Sequence, residues 1–281
     1  MKLLAIETTG INGTVACAEN GRLLAESPLP ADQRSAQSLV PAIEAILSSQ
    51  GWRPNSLDAV AVAVGPGSFT GLRVGVTTAK ILAWSCQAAL YGVNSLNAAA
   101  WQIAAALPGL LESDRSNPVC EKTLRRGSAL VTVSIDAQRG DVAARDFIID
   151  LESAIPVPLG DSFRLFPLSD WLAPRTGSPS SASLGSPDGG TFGSVSGDTH
   201  AQPYPILYAG SPLRSRRAKF SPGQELAFLP EPLGIPTAAG VALAAQQSPK
   251  ADPFRFLPLY SRESAAEEKR KMRQPVDNRL C

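Results

Sequence analysis

Histidine is nearly absent: the 281 residues hold one, His200, inside a stretch of low complexity. A histidine-based metal cluster or a Ser-His-Asp triad therefore has no support, and zinc chemistry is excluded. Cysteine is sparse too, and Cys17, Cys86, Cys120 and Cys281 lie far apart with no CxxC spacing. This excludes a disulfide framework and a zinc knuckle, and leaves thiols in a reducing compartment. The N-terminus, MKLLAIETTGING, lacks the apolar core and cleavage site of a signal peptide, and no apolar run approaches the roughly 20 residues that span a bilayer. A soluble, cytoplasmic protein without a membrane partner is expected. Neither sign of charge dominates: 26 Lys+Arg face 25 Asp+Glu. Bulk charge thus predicts no nucleic-acid footprint over the whole surface, although a local basic patch is compatible with it.

What the chain does have is a sequence of short apolar runs with clear punctuation. Lys2 to Ile6 ends at the polar loop ETTGINGT, Glu7 to Thr14. Thr14 to Ala18 and Arg22 to Ala25 flank Asn20-Gly21, a two-residue hairpin signal. From Ser35, residues Leu39, Val40, Ile43, Ile46 and Leu47 recur at spacings of three and four, predicting a helix that ends near Gly51. Asp58 to Val64 is apolar nearly throughout, as a strand buried on both sides would be. A second helix is predicted over about Phe69 to Ser85. Then come a strand, Ala88 to Val93, and an alanine-rich helix from Ser95, its N-cap, to Leu107.

Residues 108–127 read as an irregular crossing. Beyond it, Ala129 to Ile135 and Val142 to Ile149 predict a hairpin around Gln138-Arg139-Gly140. A short helix could begin at Ser169 to Leu172, a strand is predicted at Tyr204 to Ala209, and a small-residue helix at Thr237 to Gln247. Arg175 to Gln202, rich in Gly, Ser and Pro, reads as a surface insertion that cannot repay its ordering entropy. The division predicted is an α/β lobe over 1–107, a smaller α/β lobe over 108–233 containing that insertion, a helix and strand over 234–262 that return to the first lobe, and a charged tail over 263–281. The class is α/β with mixed sheets.

The chain is organised around GPGSFTGLRVGV, Gly65 to Val76. Its glycines and proline end the preceding strand, and Ser68 can cap the helix that follows. Such a junction can hold a phosphate or pack against a partner. It matches neither phosphate fingerprint, because Leu72-Arg73 follows Gly71 where Walker A needs Lys-Ser/Thr, and Thr70 occupies the third glycine's place in GxGxxG. Gly71 and Gly75, four apart, share one helical face and admit close approach of another backbone. Two readings stay open: packing of the helix on its own sheet, and a helix–helix interface. The loop after the first strand carries Glu7, Thr8 and Thr9; a hairpin in this position embraces phosphates in the actin-like ATPase architecture, but small polar loops after a first strand are common. Asp136, after Ile135, is a candidate carboxylate or a turn residue.

LLAIETT at Leu3 to Thr9, QSLVPAIEAIL at Gln37 to Leu47, GPGSFTGLRVGV, SIDAQRGDV at Ser134 to Val142 and PLYSR at Pro258 to Arg262 together resemble the bacterial TsaB (YeaZ) family. The resemblance implies a two-lobed actin-like/Hsp70-like ATPase (ASKHA) fold, each lobe a mixed sheet with flanking helices. It implies a non-catalytic scaffold that pairs with the catalytic subunit TsaD, itself of homologous fold, and with the ATPase TsaE. Together these transfer a threonylcarbamoyl group to adenosine 37 of tRNAs reading codons that begin with A, so that this chain meets tRNA indirectly. The catalytic paralogue binds a metal through histidines where this chain has Ser35, Ala36, Gln37, Ser38 and Leu39, so no metal ligands and no catalytic residues are assigned here. The partner interface implied comprises Ser38, Leu39, Ala42 and Ile46 on the first helix and Gly71, Leu72, Gly75, Val76 and Ala79 on the second. The same vacant face would serve a homodimer. Glu7, where the family more often has aspartate, forms with Thr8, Thr9, Gly65, Gly67 and Ser68 a vestigial nucleotide site for ATP or ADP. The alternatives are a glycoprotease-like peptidase and a stand-alone nucleotide-binding ATPase.

Overall fold

Two six-stranded mixed sheets arise from the apolar runs, and a shared helix joins them. The computed structural model describes residues 1–10, 12–30, 35–137, 140–167, 206–210, 212 and 226–260. In the first sheet β1 (Lys2–Glu7), β2 (Thr14–Glu19) and β3 (Arg22–Pro28) form an antiparallel meander, while β4 (Ala59–Gly65) and β5 (Ala89–Asn94) add in parallel beyond β1. The Asn-Gly signal is realised: Asn20 and Gly21 take φ of 51° and 83°, the pair of positive angles that the tight hairpin between β2 and β3 requires. The second sheet repeats this plan. Its members are β6 (Ser128–Asp136), β7 (Asp141–Asp150), β8 (Pro156–Pro158) and β9 (Arg164–Pro167), with β10 (Ile206–Ala209) and β11 (Leu226–Phe228) added in parallel beyond β6. The strand orders β5-β4-β1-β2-β3 and β11-β10-β6-β7-β8 correspond place for place, so each lobe is one copy of the same topology. A last short strand, β12 (Lys250–Ala251), pairs antiparallel with β5 on the edge of the first sheet.

Alternation along β1, β2 and β4 divides the first sheet's core into two faces. Leu4, Ile6, Val15, Cys17, Val60 and Val62 face helices α1 (Ser35–Ser49) and α2 (Phe69–Ser85). Leu3, Ala5, Ala16, Ala59, Ala61 and Ala63 face α5 (Ala238–Ala245) and Ala98 of α3 (Ser95–Ser113). The second face is nearly all alanine because α5 lies so close. A Cβ on Gly240 would fall 2.3 Å from the Ala98 carbonyl oxygen, so only small residues permit the α5–α3 contact. The other side of α3, through Leu96, Ile103, Leu107 and Leu111, packs on Val131, Val133, Phe147 and Ile149 of the second sheet. One helix is therefore wall to both lobes. Among the described residues no helix is long and apolar enough to cross a membrane.

The expectation of an irregular crossing over 108–127 is corrected. α3 runs on past Pro108 to Ser113, and α4 (Pro118–Arg126) follows. Proline costs a helix interior about 3 kcal/mol, but the buried stripe Leu96, Ile103, Leu107 and Leu111 continues across it. α4 carries the expected terminal chemistry: the Asn117 side chain accepts from the Val119 N–H, Pro118 opens the helix, and Gly127, at φ 73°, closes it. Its polarity hid it, since only Val119, Cys120 and Thr123 are buried. The cap of α3 is Asn94 instead of Ser95: Asn94 Oδ1 accepts from the Leu96 N–H at 2.9 Å, and Ser95 is buried. The short helix predicted at Ser169, the insertion Arg175 to Gln202 with His200, and the tail beyond residue 262 lie outside the described residues.

Two glycines in these helices have opposite surroundings. A Cβ on Gly109 in α3 would meet nothing within 4 Å, whereas one on Gly240 would meet the Ala98 carbonyl. Gly109→Ala is expected to raise stability by about 0.5–1 kcal/mol, from helix propensity and a less free unfolded chain. Gly240→Ala is expected to lower it by about 2 kcal/mol or more, as overpacked cores do. Urea denaturation of both variants measures the difference.

Candidate functional site

The junction GPGSFTG folds over the loop that follows β1. Ser68 caps α2, its Oγ accepting from the Gly71 N–H at 3.3 Å, and its own N–H donates to the Thr9 carbonyl at 2.9 Å. Thr8 Oγ1 donates to the Gly71 carbonyl at 2.7 Å. The contact is at backbone distance: a Cβ on Gly71 would fall 1.8 Å from the Thr8 carbonyl oxygen, and one on Gly75 would fall 2.3 Å from Thr8 Oγ1. Gly67 lies against Thr9, and Gly65 against the Leu259 carbonyl, in the same way. Of the two readings of the glycine pair, packing on the chain's own sheet and loop is the one the geometry meets.

The residues assigned to a partner interface lie mostly inside the chain. Ser38, Leu39 and Ile46 of α1 and Gly71, Leu72, Gly75, Val76 and Ala79 of α2 are all buried within the chain, and Ala42 is half-buried. The helices turn other residues outward. Val40 is 61% exposed, Ile81 58% and Trp84 64%, large apolar side chains facing solvent. Periodicity could have found the last two. The stripe Leu72, Val76, Ala79 and Ala83 fixes the buried face of α2, and Ile81 and Trp84 fall off it.

Of the six residues of the nucleotide site, Glu7, Thr9 and Ser68 bond to one another, Thr8 bonds to Gly71, and Gly67 lies against Thr9. Glu7 Oε1 accepts from the Thr9 N–H at 2.5 Å, from the Thr9 hydroxyl and from the Gly10 N–H at 3.3 Å, and Thr9 Oγ1 lies 3.3 Å from Ser95 Oγ. On the same face of the sheet, the N-terminus of α5 meets this chain's own acceptors. The Ala238 N–H donates to Thr14 Oγ1 and the Ala239 N–H to Glu26 Oε1, each at 2.7 Å. A carboxylate thus occupies the positive end of that helix, where an anion would otherwise bind. Among the described residues no group of three His, Cys, Asp or Glu could hold a metal. The Thr8 and Thr9 hydroxyls and the N–H groups of Ser68, Ala238 and Ala239 are taken by acceptors of this chain, and Glu26 stands at the N-terminus of α5. These residues do not fit a nucleotide's phosphates. Asp136, the other candidate carboxylate, ends β6 and is exposed.

Glu7 is the unusual group. It is fully buried, its Oε2 has no partner among the described residues, and burial pushes its pKa from an ordinary 4.5 up to about 7, against three hydrogen bonds that favour the charge and with Glu26 adding repulsion. Burial also raises Cys17, to about 11, and Cys120, so neither is a reactive thiol.

The repeated lobe, antiparallel meander plus two parallel strands, with a helix passing between the two copies, defines the actin-like/Hsp70-like ATPase fold. YeaZ from Pseudomonas aeruginosa superposes with a TM-score of 0.61 at 19% identity, over 92% of this chain and 99% of that one. Within that fold the chain resembles the TsaB (YeaZ) family. It is 35% identical over 96 residues to the tRNA threonylcarbamoyladenosine biosynthesis protein TsaB of Bacillus subtilis, which is 34% of this chain and 42% of that protein. It is 28% identical over 145 residues to TsaB of Escherichia coli, 50% of this chain and 53% of that protein. The chain thus spans about half the length of these curated relatives. A family model described as TsaD, tRNA N6-adenosine threonylcarbamoyltransferase, matches residues 27–120, the stretch that holds α1, α2 and α3.

Two outcomes test this geometry. Gly71→Ala is expected to destabilise the protein by about 2 kcal/mol or more, by forcing α2 off the Thr8 loop. Glu7 binds its proton more tightly folded than unfolded, so the stability it carries is full below about pH 4.5 and is lost as pH rises through about 7. Glu7→Gln, which keeps the acceptor and removes the charge, is expected to gain on the order of 2–3 kcal/mol at pH 8 and little at pH 4.5. Thermal unfolding across that range reads it, and equal gain at both ends would refute the buried charge.

Proposed function

We propose that this chain is a non-catalytic accessory subunit of the machinery that makes threonylcarbamoyladenosine in tRNA, and that it docks a TsaD-type catalytic subunit through the outward face of α1 and α2. The observation that carries the reading is the exposed apolar set Val40, Ile81 and Trp84 on those two helices, in a chain whose relatives are named for this biosynthesis. Exposed side chains of this size on two packed helices are what a helix–helix interface buries. The buried glycines support it indirectly, by seating α2 on the sheet so that its outer face is fixed.

The loop after β1 supports the non-catalytic part: the Thr8 hydroxyl and the Thr9 N–H are bound within the chain and the Glu26 carboxylate occupies the N-terminus of α5, so the chain's contribution is read as lying on its surface. Energy from a nucleotide would come through a separate ATPase of the TsaE type. In the absence of the catalytic subunit, the same face pairs two copies of this chain, since both lobes of such partners share one fold and one helix arrangement.

Ile81→Asp and Trp84→Asp are each expected to weaken association with the catalytic subunit at least tenfold, as loss of a central apolar anchor does. Their unfolding temperatures should stay within a few degrees of the unsubstituted protein, because both side chains are already in water. Calorimetric titration of the purified subunits measures the first and thermal unfolding the second. Unchanged affinity in both variants would place the interface elsewhere.

A further inference from the structure

After β12 the chain turns back and runs beside α2 as an irregular segment, residues 252–260. Three contacts hold it there. Lys80 Nζ donates to the Phe256 carbonyl at 2.8 Å, the Leu259 N–H donates to the Val64 carbonyl at 2.7 Å, and Tyr260 stacks on Phe69 with ring centroids 4.6 Å apart. The Phe256 ring points inward onto Gly92, where a Cβ would come within 2.5 Å of it, and packs on the same core as Leu82 and Ala88. Its neighbours point the other way: Phe254 is 77% exposed and Leu257 75%.

These two side chains continue the bare face of α2. Lys80 and Trp84 are four apart and share one side of the helix. Trp84 therefore stands on the side along which the segment runs, one turn beyond the bond from Lys80 to the Phe256 carbonyl, and Phe254 and Leu257 flank Phe256 in the chain. The cations here are already matched within the molecule. Arg73 lies over the Phe69 ring and donates to Tyr260 Oη, Lys80 holds the Phe256 carbonyl, and Arg255 pairs with Asp252 at 3.9 Å. What faces outward unmatched is apolar, which suits the surface of a folded protein and not a polyanion.

Size points the same way. A large apolar side chain offers roughly 150–250 Å² when fully exposed, so Ile81, Trp84, Phe254 and Leu257 at their exposures present on the order of 500 Å², about half of it from residues 254 and 257. A stable interface buries about 800 Å² on each partner. The two α2 side chains fall well short of that, and the segment supplies much of the difference.

We infer that residues 254–257 form a second part of the surface on which the catalytic subunit docks, with Phe254 and Leu257 as apolar anchors beside Trp84. The inference rests on the function proposed above, and it adds to the helical face a segment from the far end of the sequence.

The test uses the full chain and a purified TsaD-type subunit. Phe254→Ser combined with Leu257→Ser is expected to weaken their association about tenfold in calorimetric titration, with an unfolding temperature within a few degrees of the unsubstituted protein, since both side chains are already in water. A photoreactive benzophenone amino acid in place of Leu257 should cross-link to the catalytic subunit on irradiation of the mixture. Unchanged affinity of the double variant overturns the inference, and so do cross-links that form only between two copies of this chain. Loss of binding in the Phe254/Leu257 variant with normal binding of Ile81→Asp and Trp84→Asp supports this segment and rejects the helical face; the converse rejects the segment alone. No association of the unsubstituted chain rejects the proposed function and this inference with it.

Discussion

A helix can rest on the loop beyond a strand at backbone distance only where it has no side chain to hold it off. Gly71 and Gly75 supply that at α2, and the Thr8 carbonyl and hydroxyl fill the space where their Cβ atoms would be. Much of the first lobe depends on this approach. It pins the loop at residues 8–10 through Thr8 and Thr9, seats Val76 and Ala79 on the sheet, and brings the N-terminus of α2 to residues 252–260 through Phe69 and Tyr260. Glycine in a helix interior costs about 1 kcal/mol. The hydrogen bond from Thr8 and the burial around it offset that cost.

The same tight loop explains why a carboxylate is tolerated without a cation. Glu7 stands at the end of β1 with its Oε1 taking three donors from the residues just after it, so one oxygen is satisfied by the turn itself. The other is not, and no basic side chain approaches to compensate it among the described residues. Desolvation wins over the hydrogen bonds, and the group sits near neutrality. Glu26 adds repulsion from across the sheet while capping α5, so one acid both raises Glu7 and holds the N-terminus of that helix.

Much of the fold was legible because its signals are local. The Asn20-Gly21 turn, the apolar run of β4, the Ser68 cap and the hairpin of β6 and β7 each follow from a few adjacent residues. α4 was not legible, since its polar face dominates its nine residues and its burial depends on α3 passing Pro108. At the glycine pair, the sequence located a close approach but not its neighbour. Gly71 and Gly75 announce close approach, but whether the neighbour is Thr8 of the same chain or a helix of another is decided by tertiary structure. Glu26, at the start of α5, lies 213 residues before the N–H it accepts from and has no local signal at all.

The distribution of unsatisfied chemistry then argues for where the protein acts. In the cleft, hydroxyls, amides and carboxylates are matched internally, and the one unpaired oxygen among the described residues there is an acid out of reach of solvent. On the outside of the first lobe the reverse holds: Val40, Ile81, Trp84 and Phe254 are uncovered. Folding stability accounts for the cleft, because unpaired polar groups there would cost it several kcal/mol. It does not account for the outer surface, where the same residues gain nothing by exposure. A duplicated fold that closes the loop after β1 on its own residues leaves its large exposed apolar groups on the first lobe's exterior, and α2, fixed from beneath by its two glycines, carries two of them.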